Sequence, residues 1–168
     1  MAPQPFSHCS FCGAPFAAGI GWPRTCASCG QTTYRNPLPV SVVLVPVARD
    51  GSAHLGLLAV RRGVSPEAGK LALPGGFINF GETWQEAGAR EVFEEAGLVV
   101  EPGEIHELTV QSAQDGTLIV FGLAGPRRED ELLPFEPNEE ATQRLVLDGP
   151  AEMAFELQTQ VVRQFFRA

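Results

Sequence analysis

The chain's four cysteines fall in two C-x-x-C-G turns, Cys9-Ser-Phe-Cys12-Gly13 and Cys26-Ala-Ser-Cys29-Gly30, with 13 residues between them. A two-residue gap lets both thiolates of a turn reach one ion, and the following glycine permits the backbone to wrap it. Together the turns supply a tetrahedral set of four thiolates, for which Zn²⁺ is the usual occupant. With every ligand position taken by sulfur, such a metal is structural. Three other readings compete. A thioredoxin-like redox pair needs one C-x-x-C inside a βαβ unit, which neither turn has. Disulfides are disfavoured in the cytoplasmic setting argued below. Iron in a rubredoxin-like site is the remaining alternative. His8 adjoins the first cysteine and, with four thiolates available, reads as a surface side chain.

A second set of groups able to do chemistry is acidic: Glu82, then Glu91, Glu94 and Glu95, with Arg90 beside them. Carboxylates at i, i+3 and i+4 repel one another on a helix unless something pairs with them. Hard divalent cations do so, and Mg²⁺ bridges a few carboxylates to substrate phosphates while keeping some of its waters. Arg90 can orient or screen Glu91. Gly75 and Gly76 bring bare backbone near the same place, where a carbonyl could add another oxygen ligand. Taken on the helix alone, a wet acidic face accounts for these residues as well as a metal site does.

The element that must carry them is a helix over about residues 83–96. Thr83 followed by Glu86 is a capping box, and Gly97 is a left-handed stop. At about 100° per residue, Ala89, Val92, Phe93 and Ala96 gather on one side. Glu91 and Glu95 fall nearly opposite, and Ala87 and Gly88 on the polar side leave room for a ligand. Before the helix, Val40–Val45 reads as a buried strand, Arg49-Asp50-Gly51 as a turn, and His54–Val60 as a returning strand. A short strand at Leu71–Leu73 runs into Pro74-Gly75-Gly76-Phe77. Beyond the helix, strands are expected near 105–112, 117–124 and 143–147. A closing helix spans about 151–167, with Ala154, Leu157, Val161 and Phe165 on one stripe. Strands interleaved with two helices define an α/β fold with a mixed sheet. Asn36-Pro37-Leu38-Pro39 breaks the chain and divides it into residues 1–36 and 37–168.

The 168 residues are 44% hydrophobic and 19% charged, as in a globular protein. No run of about 18 apolar residues is present to span a bilayer, and the start lacks the pattern of a signal peptide. The chain is therefore expected to be cytoplasmic, with no membrane partner. The net charge of −8 is uneven: residues 1–80 carry six Lys/Arg against two Asp/Glu, and the rest six against eighteen. Such an acidic chain is a poor general binder of nucleic acid. Most of Glu129 to Glu140 reads as solvated surface.

The segment Gly76 to Leu98 resembles the Nudix box, G-x5-E-x7-R-E-U-x-E-E-x-G-U with U a bulky aliphatic residue. Gly76, Glu82, Arg90, Glu91, Val92, Glu94, Glu95, Gly97 and Leu98 match every defined position. The resemblance implies the Nudix α/β/α sandwich, whose loop–helix–loop box carries Mg²⁺ or Mn²⁺ and a substrate diphosphate. It implies Glu91 and Glu95 as principal metal ligands, Glu94 as a further ligand and the Gly76 backbone as a candidate. It also implies that Glu91 organises the attacking water, that Arg90 orients Glu91, and that Glu82 is an outer helper. The general base varies within the family and is left open. Hydrolysis of a phosphoanhydride needs charge neutralisation and an in-line deprotonated water, for which clustered carboxylates and metal suffice.

A zinc ribbon ahead of a Nudix domain is similar to two subgroups, the NADH pyrophosphatases that also remove NAD caps from RNA, and a group that includes FAD pyrophosphatases. Cys26 to Cys29 followed by Tyr34-Arg35-Asn36-Pro37 looks like the second. The S-Q-P-W-P-F-P-x-S signature of the first has no counterpart near Gln111-Ser-Ala-Gln-Asp115. The expected substrate is a nucleoside diphosphate linked to another moiety, such as FAD, NADH or ADP-ribose. Phe77, Phe80 and Trp84 could stack on a ring or simply pack, and Arg61 and Arg62 could reach phosphate or end a strand. Decapping of NAD-capped RNA and non-catalytic nucleotide sensing are the alternatives. The acidic balance and the lack of an interleaved Arg/aromatic tract weigh against RNA. A homodimer is an expectation at the level of the family.

Overall fold

The computed structural model describes residues 5–49 and 54–167, so the turn expected at Arg49-Asp50-Gly51 and the first four residues lie largely outside the described residues. The chain divides into two compact units, Met1–Pro37 and Leu38–Ala168.

In the first unit, strands β1 (Arg24–Thr25) and β2 (Thr32–Thr33) pair antiparallel on either side of the second cysteine turn. Among its described residues only Cys9 and Cys26 are buried. Rings take the place of an aliphatic core: Phe6 and Phe16 meet Trp22 edge-on at 6.0 and 6.3 Å, and the Arg24 guanidinium lies 4.4 Å from the Trp22 ring centre. So few buried groups cannot offset the cost of ordering the chain, and a cross-link is required.

The second unit runs β3 (Leu38–Leu44), β4 (Pro46–Ala48), β5 (Leu55–Arg62), β6 (Leu71–Ala72), β7 (Gly75–Phe77), α1 (Trp84–Ala96), β8 (His106–Ser112), β9 (Thr117–Leu123), β10 (Arg127–Arg128), β11 (Ala141–Leu147) and α2 (Glu156–Phe165). One sheet has the order β7-β3-β9-β8, with β3 and β9 parallel. The other has the order β10-β4-β5-β11, with β6 added to β5 and β4 and β10 parallel. Val45 alone separates β3 from β4, so one extended segment joins both sheets. Its side chains alternate between two cores. Val43, Val45 and Val47 pack with Leu58, Val60 and with Ala89, Val92 and Ala96 of α1. Val42 and Leu44 pack with Leu57, Ala59 and with Val161 and Val162 of α2. Covering both faces is why Val42–Val45 is an unbroken apolar run, with buried Ser41 just before it. The result is a helix–sheet–helix sandwich with mixed sheets.

Helix α2 is shorter than the expected 151–167. The Ala154 amide donates to the Leu71 carbonyl at 2.6 Å, which holds the preceding segment out of the helix. Its buried face is also wider than the four-residue stripe. Gln158 and Thr159 are buried with their polar atoms satisfied by the amides of Leu73 (2.9 Å) and Met153 (3.0 Å).

Candidate functional site

The two cysteine turns share one geometry. The Cys9 amide donates to Ala14 O at 2.8 Å and Gly13 N to Cys9 O at 3.0 Å; Cys26 and Gly30 repeat this with Gln31 O and Cys26 O at 2.9 and 2.8 Å. Gly13 and Gly30 both sit at positive φ, 74° and 72°, where a side chain would be strained. Cys9 Sγ lies 3.8 Å from Cys29 Sγ, and Cys12 Sγ 3.6 Å from Cys26 Sγ. Sulfurs bound tetrahedrally at about 2.3 Å from one zinc stand about 3.8 Å apart, so the set fits that ion. Charge agrees with geometry. The amides of Cys12 and Phe11 hold the Cys9 thiol down to about 6. At Cys29 the Gln31 amide also lowers the pKa, but burial and the neighbouring sulfurs outweigh it and push it up to about 12. Four sulfurs this close need a cation to carry their charge together. His8 is exposed and its ring nitrogen meets Ser7 Oγ at 2.8 Å, apart from the sulfur set.

In the second unit, α1 starts and stops where its sequence dictates. Thr83 Oγ1 accepts from Glu86 N at 3.2 Å, the Glu86 carboxylate accepts from Thr83 N at 2.7 Å, and Gly97 is left-handed at φ 64°. The helix faces differ from expectation. Phe93 is 58% exposed, while Ala87 and Gly88 are buried. A side chain at Gly88 would collide with Val43 and Ser41 of β3, so the small residues admit the sheet, not a ligand. With strands along a broad arc of α1, Glu91 and Glu95 stand at the rim of its buried face, at 8% and 7% exposure, instead of opposite it.

That rim is where the carboxylates converge. Glu91, Glu95 and Glu140 each place an oxygen within 4.8 Å of the others. Glu140, just ahead of β11, falls in the stretch that reads as solvated surface. Nothing in the local sequence separates it from Glu139; its place beside the helix carboxylates is set by the way the chain enters β11. The Gly75 amide donates to Glu95 Oε2 at 3.0 Å. Gly76 is opposite Ser41 in the β3–β7 pairing, and a Cβ on it would lie 2.6 Å from the Glu91 carboxyl carbon. Bare backbone is thus a requirement of the site. Burial raises both acids, Glu91 despite Arg90, and Glu95 to about 7 despite the Gly75 amide. Such a cluster favours uptake of protons or of a cation.

Arg90 is the hub on the open side. Its Nε and Nη2 grip Glu82 at 2.8 and 3.1 Å, and its Nη1 reaches Glu91 at 2.7 Å and Glu94 at 3.0 Å. Nη2 also donates to Phe77 O at 3.0 Å. The Arg90 bonds, with the Asn79 amide, hold the Glu82 carboxyl down to about 2. Glu94 is the most exposed of the three helix carboxylates. Arg61 and Arg62 are both committed to the loop after β5, Arg61 to Gly69 O at 2.8 Å and Arg62 to Pro66 O at 3.0 Å. Arg62 still lies close enough to lower the Glu95 pKa. Phe77 and Phe80 are exposed, whereas Trp84 packs on the core beside Gly122. In the first unit Arg24 lies 5.5 Å from the Phe16 ring and 4.4 Å from that of Trp22. Its guanidinium also bonds to Ile20 O and Phe6 O, each at 3.0 Å.

Residues 37–163 match the NUDIX domain model. The chain belongs to the NUDIX domain family. Curated relatives include the NAD-capped RNA hydrolase NudC of Edwardsiella ictaluri (strain 93-146), 37% identical over 98 residues, which are 58% of this chain and 35% of the relative. The protein of the same name from Haemophilus influenzae (strain PittGG) is 40% identical over 76 residues, 45% of this chain and 27% of the relative. The chain thus spans only about a third of the length of the curated relatives it matches. Among solved structures, a NUDIX hydrolase from Nitrosomonas europaea superimposes with a TM-score of 0.72 at 24% identity, over 96% of this chain and 90% of the other. A MutT/nudix family protein from Enterococcus faecalis gives 0.61 at 25% identity, over 68% and 44%. The sandwich fold expected from the box is the fold found.

Proposed function

We propose that this chain hydrolyses the diphosphate of a nucleoside diphosphate linked to a second moiety, with FAD, NADH and ADP-ribose as the candidate substrates. The observation that carries the reading is the convergence of Glu91, Glu95 and Glu140 beside the bare backbone of Gly75 and Gly76. Oxygen-only donors at the edge of a buried layer suit Mg²⁺ or Mn²⁺. Such a cation supplies charge neutralisation and an activated water when bound. The protein's own groups do the rest. Glu91, Glu95 and Glu140 hold the charge, with Glu94 and the Gly76 carbonyl at the margin. Arg90 fixes the rotamer of Glu91, and Glu82 fixes Arg90. Phe77 and Phe80 offer exposed rings near the box for the non-hydrolysed moiety. Arg61 and Arg62 lie at the β5 end for a phosphate, once released from their loop carbonyls.

The cysteine unit is read as a structural zinc ribbon, with the linker at residues 36–37 as its boundary. Among the described residues no helix is long and apolar enough to cross a membrane, in keeping with the proposed cytoplasmic location. Removal of NAD caps from RNA is the second reading, favoured by the name of the curated relatives. The missing S-Q-P-W-P-F-P-x-S signature and the acidic second unit oppose it. A nucleotide-sensing regulator would have no need of the full carboxylate set. Turnover of FAD, NADH, ADP-ribose and an NAD-capped oligonucleotide with Mg²⁺ or Mn²⁺ tests these readings. Release of mononucleotide from one of the dinucleotides, lost in Glu95→Gln, supports the first. Preference for the oligonucleotide supports the second, and tight binding without turnover supports the regulator.

A further inference from the structure

Glu140 is the one member of the carboxylate group not carried by α1, and something must hold it there. The segment before it packs on the core through Leu132 and Phe135, but residues 136–140 are all exposed. Leu133, Pro134, Phe135, Pro137, Phe93 and Glu94 surround a cavity of about 390 Å³. Leu133 is 71% exposed. Beyond Phe135, placement of the loop end therefore falls to polar contacts.

Those contacts centre on Asn138. Its Oδ1 accepts from the amides of Glu140 at 2.9 Å and Ala141 at 2.7 Å, closing a turn that starts β11. Its own amide donates to Ala141 O at 2.9 Å. Its Nδ2 crosses to α1 and donates to Glu94 O at 2.7 Å. That carbonyl lies in the last turn of the helix, where carbonyls have no helical donor. Arg144 serves the neighbouring Ala96 O in the same way, at 2.8 Å. On the other side, Gly63 N donates to Glu140 O at 2.7 Å, and a Cβ on Gly63 would lie 3.0 Å from the Glu139 carbonyl carbon. The Glu140 peptide is thus held at its amide by Asn138 and at its carbonyl by Gly63. Among the described residues, it is Asn138 that couples that peptide to the C-terminal part of α1, through Glu94 O.

We propose that Asn138 is a positioning residue that sets Glu140 in register with Glu91 and Glu95, so that the three carboxylates bind one divalent cation. This rests on the metal-site reading given under the proposed function. Asn138 touches neither substrate nor ion; it acts through Glu140.

The test is Mn²⁺ affinity of the full chain, read from the electron paramagnetic resonance of free Mn²⁺, for wild type, Asn138→Ala, Glu140→Gln and the double variant. Melting curves confirm folding, and Asn138→Ser, which keeps an acceptor for the two amides but cannot reach the helix, replaces the alanine variant if that one fails to fold. Asn138→Ala is expected to weaken Mn²⁺ binding about tenfold, the lower end for partners that orient metal ligands. In the Glu140→Gln background the same change is expected to do nothing further, since its effect runs through Glu140. An unchanged affinity in Asn138→Ala, or an equal loss in both backgrounds, overturns the proposal while leaving the metal site intact. Unchanged affinity in Glu140→Gln removes Glu140 from the site and the proposal with it. Absence of Mn²⁺ binding by the wild type overturns the underlying reading itself.

Discussion

The two candidate metal sites of this chain invert the relation between ligand and fold. In the first unit, the ligands come from two short turns that carry their own amide donors and positive-φ glycines, and almost nothing else is buried. In the proposed zinc ribbon, the ion is what makes the unit a structure. In the second unit, the ligands come from α1 and from the residue before β11, brought together by two sheets and two cores. Here the fold exists first and makes the ion's place. A sulfur set closed on all sides is a tie, whereas an oxygen set open beside bare glycine backbone can exchange water and phosphate.

Metal removal separates the two most sharply. Stripping zinc is expected to unfold the first unit outright while the second keeps its cooperative melt, checked by amide hydrogen exchange resolved to the two segments. Loss of protection in both together would break the contrast. Glu91→Gln is expected to lower turnover roughly a hundred- to a thousandfold with little change in melting temperature, because it removes charge from a site the fold does not need. A comparable loss of stability would mean that Glu91 is a structural group. Gly76→Ala drives a methyl into the Glu91 carboxylate, and is expected to cost about 1–3 kcal/mol of stability along with most of the turnover.

Legibility in the sequence followed the range of the interactions. The C-x-x-C-G turns, the Thr83–Glu86 box and the Gly97 stop involve residues within a few positions of one another, and each stands in the structure as the sequence suggests. The faces of α1 did not follow, because a helix flanked by strands on a broad arc buries more than one stripe. Periodicity placed Phe93 with the core and Glu91 opposite it; contact with β3 and β7 reversed both. Glu140 was invisible for a related reason. It is one glutamate in an acidic run, and its difference from Glu139 arises only from tertiary contacts where the chain enters β11.

Smaller effects sharpen the same contrast. Arg90→Ala releases Glu82, Glu91 and Glu94 at once and is expected to reduce turnover about 10- to 100-fold, the range for residues that orient ligands. The measurement is kcat at saturating Mg²⁺. The smallest effect concerns pH. Glu95 is raised from 4.5 to about 7 by burial, so the metal-free fold favours its protonated form. Its contribution to stability is full below about pH 4.5 and is lost as pH rises through about 7. Denaturant melts of metal-free protein should show that loss, and Glu95→Gln should flatten it. A decline of the same size in the variant would assign the dependence to other groups.

The most direct measurement follows turnover and metal content in one preparation. Protein carrying one zinc per chain is freed of loosely bound cations, then titrated with Mg²⁺ or Mn²⁺ while dinucleotide cleavage and zinc content are recorded. Turnover should rise with the added cation from near zero at constant zinc, and should be lower by roughly a hundredfold or more in Glu91→Gln. Turnover that follows the zinc content, or that is undiminished in Glu91→Gln, would contradict the assignment of chemistry to the carboxylate site and of structure to the cysteines.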